Sequence, residues 1–382
     1  MKILVCVSEF PPHASGIGNV AYRMVKEFEK KGHTCTVCSP TGPDIALGSR
    51  GMIQRFGGLG ILYFWWRVSK YFADKADEWD TVWLHWPLFI RKCPFPSAVV
   101  TYHGTYRGFR TMARSLKSSL FLKGYYAFME SMERRCLRAI NSDAFLFCVV
   151  SPHIASELAS QGITGSSISY VAVGVDTEKF HPIADGRETR VELGIPAEAI
   201  VFLYVGRLSY PKNLFTLVDT FAKLKDKLRQ AVLLIVGDGE LHEPLSRYIR
   251  TKNVPDIRLL GFIPNDELPR VYGCADFFIM ASMYEGQPVA LLEAMVTGLP
   301  PIVSNIPTME QLVNESGAGK VVDFSSPAEA ASQIEAYVAS SKAREDRYRV
   351  REYVEGTMSS PVCAERYLEL LGQVGLSKKD TL

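Results

Sequence analysis

Short, uninterrupted apolar runs recur along this chain, and most are followed by a longer stretch with helical spacing. Lys2–Ser8, Thr34–Cys38, Thr81–His85, Ala98–His103 and Ala144–Val150 form a first series. Ile200–Val205, Ala231–Val236, Ile257–Leu260, Asp276–Met280 and Pro300–Val303 form a second. A strand without polar alternation has to be covered on both faces, which is the condition of strands in a parallel sheet flanked by helices. Val20–Lys31 carries Val20, Met24 and Phe28 on one side, and the segment after Lys212 carries Leu214, Leu217, Phe221 and Leu224 on one stripe. The expected class is α/β, with two facing, doubly wound domains and a cleft between them.

A chain of 382 residues is too long for one ordinary core. Gly and Pro interrupt the pattern at Val173-Gly174-Val175-Asp176 and Phe180-His181-Pro182, so the expected domains are 1–180 and 181–359. Pro361–Leu371 is amphipathic, and a helix over 360–376 is expected to pack back on the first domain. The net charge of +2 conceals an asymmetry: residues 1–182 hold 21 Lys/Arg against 14 Asp/Glu, and residues 183–382 hold 22 against 27. Gly104–Asn141 alone has eight basic and two acidic side chains, a face suited to solvent, anionic lipid or an acidic substrate. No nucleic-acid partner is expected.

The apolar stretch Gly57–Trp66 lies between Arg55 and Arg67 and falls far short of the ~20 residues a membrane span needs. Ile3–Val7 is broken by Ser8 and Glu9, unlike a secretory leader. Cys35-Thr36-Val37-Cys38 spells C-x-x-C once among eight cysteines, without a second ligand pair nearby. A reduced, cytoplasmic chain without a metal site is expected.

Arg207 and Lys212, in Gly206-Arg207-Leu208-Ser209-Tyr210-Pro211-Lys212-Asn213, follow a strand end, the edge where open α/β sheets bind ligands. Arginine clamps phosphate oxygens in pairs and lysine adds a point charge. Downstream, Glu285-Gly286-Gln287-Pro288-Val289-Ala290-Leu291-Leu292-Glu293 sets two acids eight positions apart, across a turn and a helix start. Pro288 suits the first helical position, Gly286 permits close backbone approach, and the free N–H groups beyond favour an anion. Glu285 can accept from sugar hydroxyls, and Glu293 from both hydroxyls of a ribose. Two acids for hydroxyls and two bases for phosphates describe a sugar-nucleotide site. In the first half, Ser15–Asn19 reads as a flexible turn holding Gly16 and Gly18. Its G-x-G-x-x-A spelling lies seven residues beyond Ser8, and the second strand ends without an acid, so a cleft-lining loop is preferred to a nicotinamide site. His103 closes a strand, where a histidine serves structure as often as function.

These motifs resemble the large family of retaining glycosyltransferases with the GT-B fold, which includes sucrose synthase-like and lipid-mannosylating enzymes. The resemblance runs through Gly16–Gly18, Thr101–Thr105, Gly174–Pro182, Gly206–Asn213, Val236–Glu240, Gly261–Pro264, Glu285–Met295 and Gly298–Ser304, and is strongest from 200 to 325. It implies two Rossmann-like domains, the first for the acceptor and the second for the nucleotide sugar. Arg207 and Lys212 would hold the donor diphosphate, Glu293 the ribose, and Glu285 with Gly286, Gln287, Pro288 and Val289 the sugar. The backbone of Gly261, Phe262 and Ile263 would border the base. His103 would meet the sugar near its reacting carbon, and Gly16 and Gly18 would close over donor and acceptor. The resemblance also implies retention of configuration, no cofactor and no required metal. Gln287-Pro288 replaces the family's common Phe-Gly pair, which leaves the donor sugar open.

The expected partners are a UDP-, GDP- or ADP-sugar and a sugar or lipid-linked acceptor. Ile61, Phe64, Trp65, Val68 and Phe72 share a helical stripe beside Arg67 and Lys70, which reads either as a peripheral helix on anionic membrane or as a core helix. Other readings left open are an NAD-dependent oxidoreductase, a sugar-nucleotide epimerase on the same fold and a non-catalytic sugar-nucleotide binder.

Overall fold

A computed structural model of the chain describes residues 1–11, 16–115, 120–163, 168–183 and 186–379. It divides into two compact units, Met1–Gly174 with Ser360–Leu382, and Val175–Ser359. The first contains β1 (Lys2–Val7), β2 (Thr34–Ser39), β3 (Ile45–Ala46), β4 (Thr81–His85), β5 (Ala98–Tyr102), β6 (Phe145–Val149) and β7 (Ile168–Tyr170). All pairings are parallel, in the order β3-β2-β1-β4-β5-β6-β7. The second contains β8 (Ile200–Val205), β9 (Ala231–Val236), β10 (Ile257–Gly261), β11 (Phe277–Met280), β12 (Pro301–Ser304) and β13 (Lys320–Val322). These too pair in parallel, in the order β10-β9-β8-β11-β12-β13. Each sheet reverses its winding once, between β1 and β4 and between β8 and β11. Both units are therefore doubly wound α/β sheets, as the apolar runs require.

Burial explains the strand pattern. Ile3 through Val7 on β1 are all fully buried, and so are Val201 through Tyr204 on β8. In the first unit, the Gly16–Lys30 helix covers the sheet with Val20, Met24 and Phe28. Ser360–Lys379 belongs to the same unit, burying Cys363, Ala364, Tyr367 and Leu371, with the Tyr367 ring 4.8 Å from Trp83 of β4.

Two sequence expectations need correction, and the alternative left open for the aromatic stripe falls to the core helix. The Gly58–Tyr71 helix does not turn its aromatic stripe to lipid: Phe64, Trp65, Val68 and the following Phe72 are buried in the first unit. Trp65 meets Phe89 edge-on at 5.1 Å, and Phe72 meets Phe95 at 5.3 Å, so the stripe is a core face packed on the segment after β4. Gly16–Asn19 is the first turn of the Gly16–Lys30 helix rather than a flexible loop, while Ser15 lies outside the described residues. Gly18 is required there, because a Cβ would stand 2.8 Å from the Glu9 carbonyl oxygen. Finally, Pro288 precedes the Val289–Val296 helix as its cap, with extended angles (φ −77°, ψ 110°), instead of occupying its first position.

One close approach fixes the edge of the second sheet. Gly237, just after β9, has φ +132°, and a Cβ there would lie 1.9 Å from the Gly206 carbonyl oxygen beyond β8. Gly237→Ala is expected to cost about 2–4 kcal/mol through this strain and clash. Urea unfolding should show a lower midpoint at an unchanged slope, and a wild-type midpoint would contradict the assignment.

Candidate functional site

In the second unit, β8 pairs with β9 on one side and β11 on the other. The chain leaves these two strand ends in opposite directions, and open α/β sheets bind ligands in the resulting crevice. After β8, Tyr210–Lys212 makes one 3-10 turn, closed by Asn213 in the left-handed conformation (φ 54°) ahead of the Leu214–Lys227 helix. After β11, the Met283 N–H donates to the Pro211 carbonyl at 2.8 Å and stitches the two loops together. The Thr308 hydroxyl donates to the Glu285 carbonyl at 3.0 Å.

This arrangement brings Lys212 Nζ to 2.5 Å from Glu285 Oε1, with side-chain exposures of only 20% and 10%. Two charges so placed attract by something on the order of 4 kcal/mol, much of which offsets the cost of removing them from water. The pair is thus a poor source of stability. Its effect is to fix a cation and a carboxylate in a water-poor corner at the sheet's switch point.

Arg207 behaves differently. Its side chain is 75% exposed, and its guanidinium stands 3.4 Å from Glu240 of the loop after β9. Its backbone is held more firmly than its charge, because the Tyr204 hydroxyl donates to the Arg207 carbonyl at 3.2 Å. Burial, and then the Glu285 charge, raises the Tyr204 pKa well above the ordinary phenol value, so this donor keeps its proton.

Glu293 lies inside the Val289–Val296 helix and is buried, with 4% exposure. The Tyr272 hydroxyl donates to its Oε2 at 3.0 Å and to the Ala290 carbonyl at 3.2 Å. Burial, and then Glu293 itself, raises the Tyr272 pKa well above the usual range, so a neutral phenol orients the carboxyl group. Gln287 is buried, and its amide reaches the Met358 sulfur at 3.8 Å. Gly286 and Val289 flank it at the helix entrance, and the Pro288 carbonyl accepts from the Leu291 and Leu292 N–H groups. Gly261 ends β10 at φ +68°, its carbonyl accepts from Gly237 N–H at 2.8 Å, and Phe262 beyond it is exposed. Ile263 is half-buried. The structure thus joins Lys212 to Glu285, while Arg207 pairs with Glu240 and Glu293 with Tyr272.

The first unit holds a separate polar group at the carboxyl ends of β4 and β5, beside its own switch point. His85 ends β4, and His103 directly follows β5. His85 Nδ1 and His103 Nε2 are 2.9 Å apart, with the rings stacked at 5.2 Å and 11°. One nitrogen must donate and the other accept, so the two tautomers are coupled. Burial, and then the neighbouring His103, pushes the His85 pKa well below its ordinary value, and burial takes His103 down to about 3. Both rings are neutral at pH 7. His85 Nε2 is buried without a hydrogen-bond partner among the described residues. Gly16 stands exposed at the start of its helix, two residues before the packed Gly18.

Sequence reasoning named His103 but missed His85, Tyr272 and Tyr204. His85 carried a readable signal, since it closes the apolar run Thr81–His85. The two tyrosines carried none, because their roles depend on partners that only folding supplies.

The neutral histidines give a pH dependence with a definite sign. An unfolded histidine binds a proton below about 6.5, whereas folded His103 resists it down to about 3. Stability is therefore fully present above 6.5 and falls as the pH drops from 6.5 toward 3. Glu133, raised to about 8 by burial, acts in the opposite direction, losing stability as the pH rises from its unfolded value through 8. His103→Gln should accordingly unfold with a shallower loss of stability between pH 6.5 and 4.5 than wild type. Parallel curves for the two proteins would contradict a neutral buried His103.

Comparison with known proteins bears on the family and the fold. The family model described as glycosyl transferases group 1 matches residues 185–354, and the model described as glycosyltransferase family 4 matches residues 14–179. A UDP-Gal:α-D-GlcNAc-diphosphoundecaprenol α-1,3-galactosyltransferase of Escherichia coli is 29% identical over 67% of this chain and 66% of its own length. The chain thus spans about two thirds of that relative. A GDP-mannose:cellobiosyl-diphosphopolyprenol α-mannosyltransferase of Xanthomonas oryzae pv. oryzae is 26% identical over 88% of this chain and 87% of its own. Among solved structures, the sucrose-phosphate synthase of Thermosynechococcus elongatus superposes with a TM-score of 0.77 at 19% identity, covering 98% of this chain and 99% of that one. With both family models matched and the fold shared with that solved structure, the chain belongs to the group 1 glycosyltransferases of GT-B fold.

Proposed function

We propose that this protein is a retaining hexosyltransferase that moves a sugar from a nucleoside diphosphate to a hydroxyl of a lipid-linked acceptor. The observation that carries the reading is the Lys212–Glu285 pair at the switch point of the second sheet. Cleavage of a glycosyl–phosphate bond gathers negative charge on the departing diphosphate, and a cation fixed beforehand lowers that barrier without reorganisation. Lys212 is such a cation. Arg207, exposed and loosely paired, is free to swing onto a phosphate oxygen. Glu293, oriented by Tyr272, takes the ribose hydroxyls, and the backbone from Gly261 to Ile263 borders the base. Glu285 and the Gly286–Val289 backbone grip the sugar, whose reacting end is assigned to neutral His103. The leaving phosphate assists the acceptor on the same face, which retains configuration. Lys212 and Arg207 supply the positive charge, so no metal is required.

Both named relatives use a UDP- or GDP-sugar and a diphospholipid-linked glycan, which supports the same classes of donor and acceptor here. No described helix is long and apolar enough to cross a membrane. A peripheral contact is supported by a different surface from the buried stripe. Phe56, Leu59, Leu120 and Phe121 are exposed by 53%, 55%, 88% and 83%. The Tyr125 hydroxyl, one turn beyond Phe121, accepts from Gly58 N–H at 3.0 Å and so ties the two segments side by side. Arg55 and Lys123 lie within these segments, which suits an anionic bilayer. The protein accordingly works at the cytoplasmic face of a membrane. The oxidoreductase reading is disfavoured, since Gly18 is packed against Glu9 and β2 ends at Ser39 without an acid.

In a thermal-shift panel, a UDP- or GDP-sugar should raise the melting temperature, and NAD(H) should not; the reverse ranking would overturn the proposal. Lys212→Ala should slow turnover by about 10²–10³. Wild-type turnover would remove Lys212 from the chemistry. EDTA should leave activity intact, and a loss restored by manganese would contradict metal independence. Sedimentation with anionic vesicles at low salt should carry wild type down and leave Leu120→Ser/Phe121→Ser in solution. Wild type remaining in solution would sink the membrane reading alone.

A further inference from the structure

The Leu120–Ile140 helix of the first unit aims two acids, Glu130 and Glu133, inward from one face. They meet opposite surroundings. Burial pushes the Glu130 pKa upward, but Arg110 at 2.5 Å and Arg134 at 2.7 Å outweigh it and hold the group below its usual value. Glu133 is fully buried, and among the described residues its hydrogen-bond donors are neutral. The Trp86 indole N–H donates to its Oε1 at 2.8 Å, and the Tyr106 backbone N–H donates to its Oε2 at 2.9 Å. Burial pushes this carboxyl up to about 8, against the opposing pull of those donors. A buried acid without a counter-charge is costly and persists where it does something that packing alone does not.

Its two donors lie next to the histidine pair. Trp86 directly follows His85, and Tyr106 stands three residues after His103 at the start of the Tyr106–Ser115 helix. Trp86 adopts φ +47°, a conformation that non-glycine residues hold only when their surroundings over-determine it. Its backbone N–H donates to the Thr101 carbonyl at 2.8 Å, its indole N–H to Glu133, and its ring meets Tyr106 at 5.2 Å. One carboxyl group therefore ties the loop after β4 to the loop after β5. Those loops carry the two imidazoles whose nitrogens must stay 2.9 Å apart.

We propose that Glu133 is a positioning residue for the transfer reaction: it clamps Trp86 and Tyr106 so that His85 fixes the tautomer and direction of His103. The inference rests on His103 acting at the reacting sugar. Loss of the clamp leaves the second unit's nucleotide-binding residues untouched, so turnover should suffer while donor affinity does not.

The test measures nucleoside diphosphate released from UDP-galactose or GDP-mannose, whichever stabilises the protein, by wild type, E133Q, W86F, H103A and H103A/E133Q. E133Q and W86F should each lower kcat about 5–20-fold with donor KM within about twofold, while H103A loses more. The double variant should be no slower than H103A, because residues acting through one another do not add. Losses that multiply, or a wild-type kcat in E133Q, would overturn the clamp. Should E133Q fail to fold, W86F decides, and its wild-type kcat would do the same. Full turnover by H103A would instead overturn the role of His103, whereas a slow H103A beside a normal E133Q sinks only the assignment of Glu133.

Discussion

A lysine from the loop after β8 and a glutamate from the loop after β11 meet at 2.5 Å, and the reading of the second unit turns on that contact. The parallel sheet makes it possible. Because β8 has β9 and β11 as its neighbours, the chain leaves the two central strands in opposite directions and exposes their carboxyl ends to one another. The backbone bond from Met283 to Pro211 then sets the loop spacing, which leaves the side chains little choice of partner. The pair's gross attraction largely cancels against desolvation, so its value lies in preorganisation rather than stability. Around it, hydroxyl groups held protonated by burial, Tyr204 and Tyr272, act as one-way donors to a backbone carbonyl and to Glu293.

The first unit solves a different electrostatic problem. Beside its switch point, the ends of β4 and β5 hold two neutral imidazoles instead of an ion pair. A neutral ring can serve as donor or acceptor according to its tautomer, and the partner ring decides which. That sensitivity makes the geometry of the surrounding loops matter, and it gives a buried acid held by the neutral donors Trp86 and Tyr106 a reason to exist beneath them.

The continuous apolar runs revealed every central strand, because a strand covered on both faces needs apolar residues at every position. β3, β7 and β13 escaped notice for the same reason. Each lies at a sheet edge, spans two or three residues and is at most half-buried at most of its positions, so no uninterrupted run marks it. The aromatic stripe of Gly58–Tyr71 was legible as a stripe but not as a direction. Periodicity reports that one face is apolar, whereas the partners Phe89 and Phe95, which decide what covers it, lie in a separate segment. At the candidate site, Lys212 and Glu285 could be named from local motifs, yet their contact spans 73 positions. Glu133 could not be named at all, since 47 residues separate it from Trp86 and nothing in its own helix distinguishes it from Glu130.

Hydrogen exchange on the intact protein tests the central claim most directly. Saturation with the sugar nucleotide that stabilises the protein should slow exchange in residues 206–213 and 283–293, on both sides of the β8–β11 switch point. Protection confined to the first unit, with those two segments unchanged, would contradict the assignment of Lys212 and Glu285 to the donor.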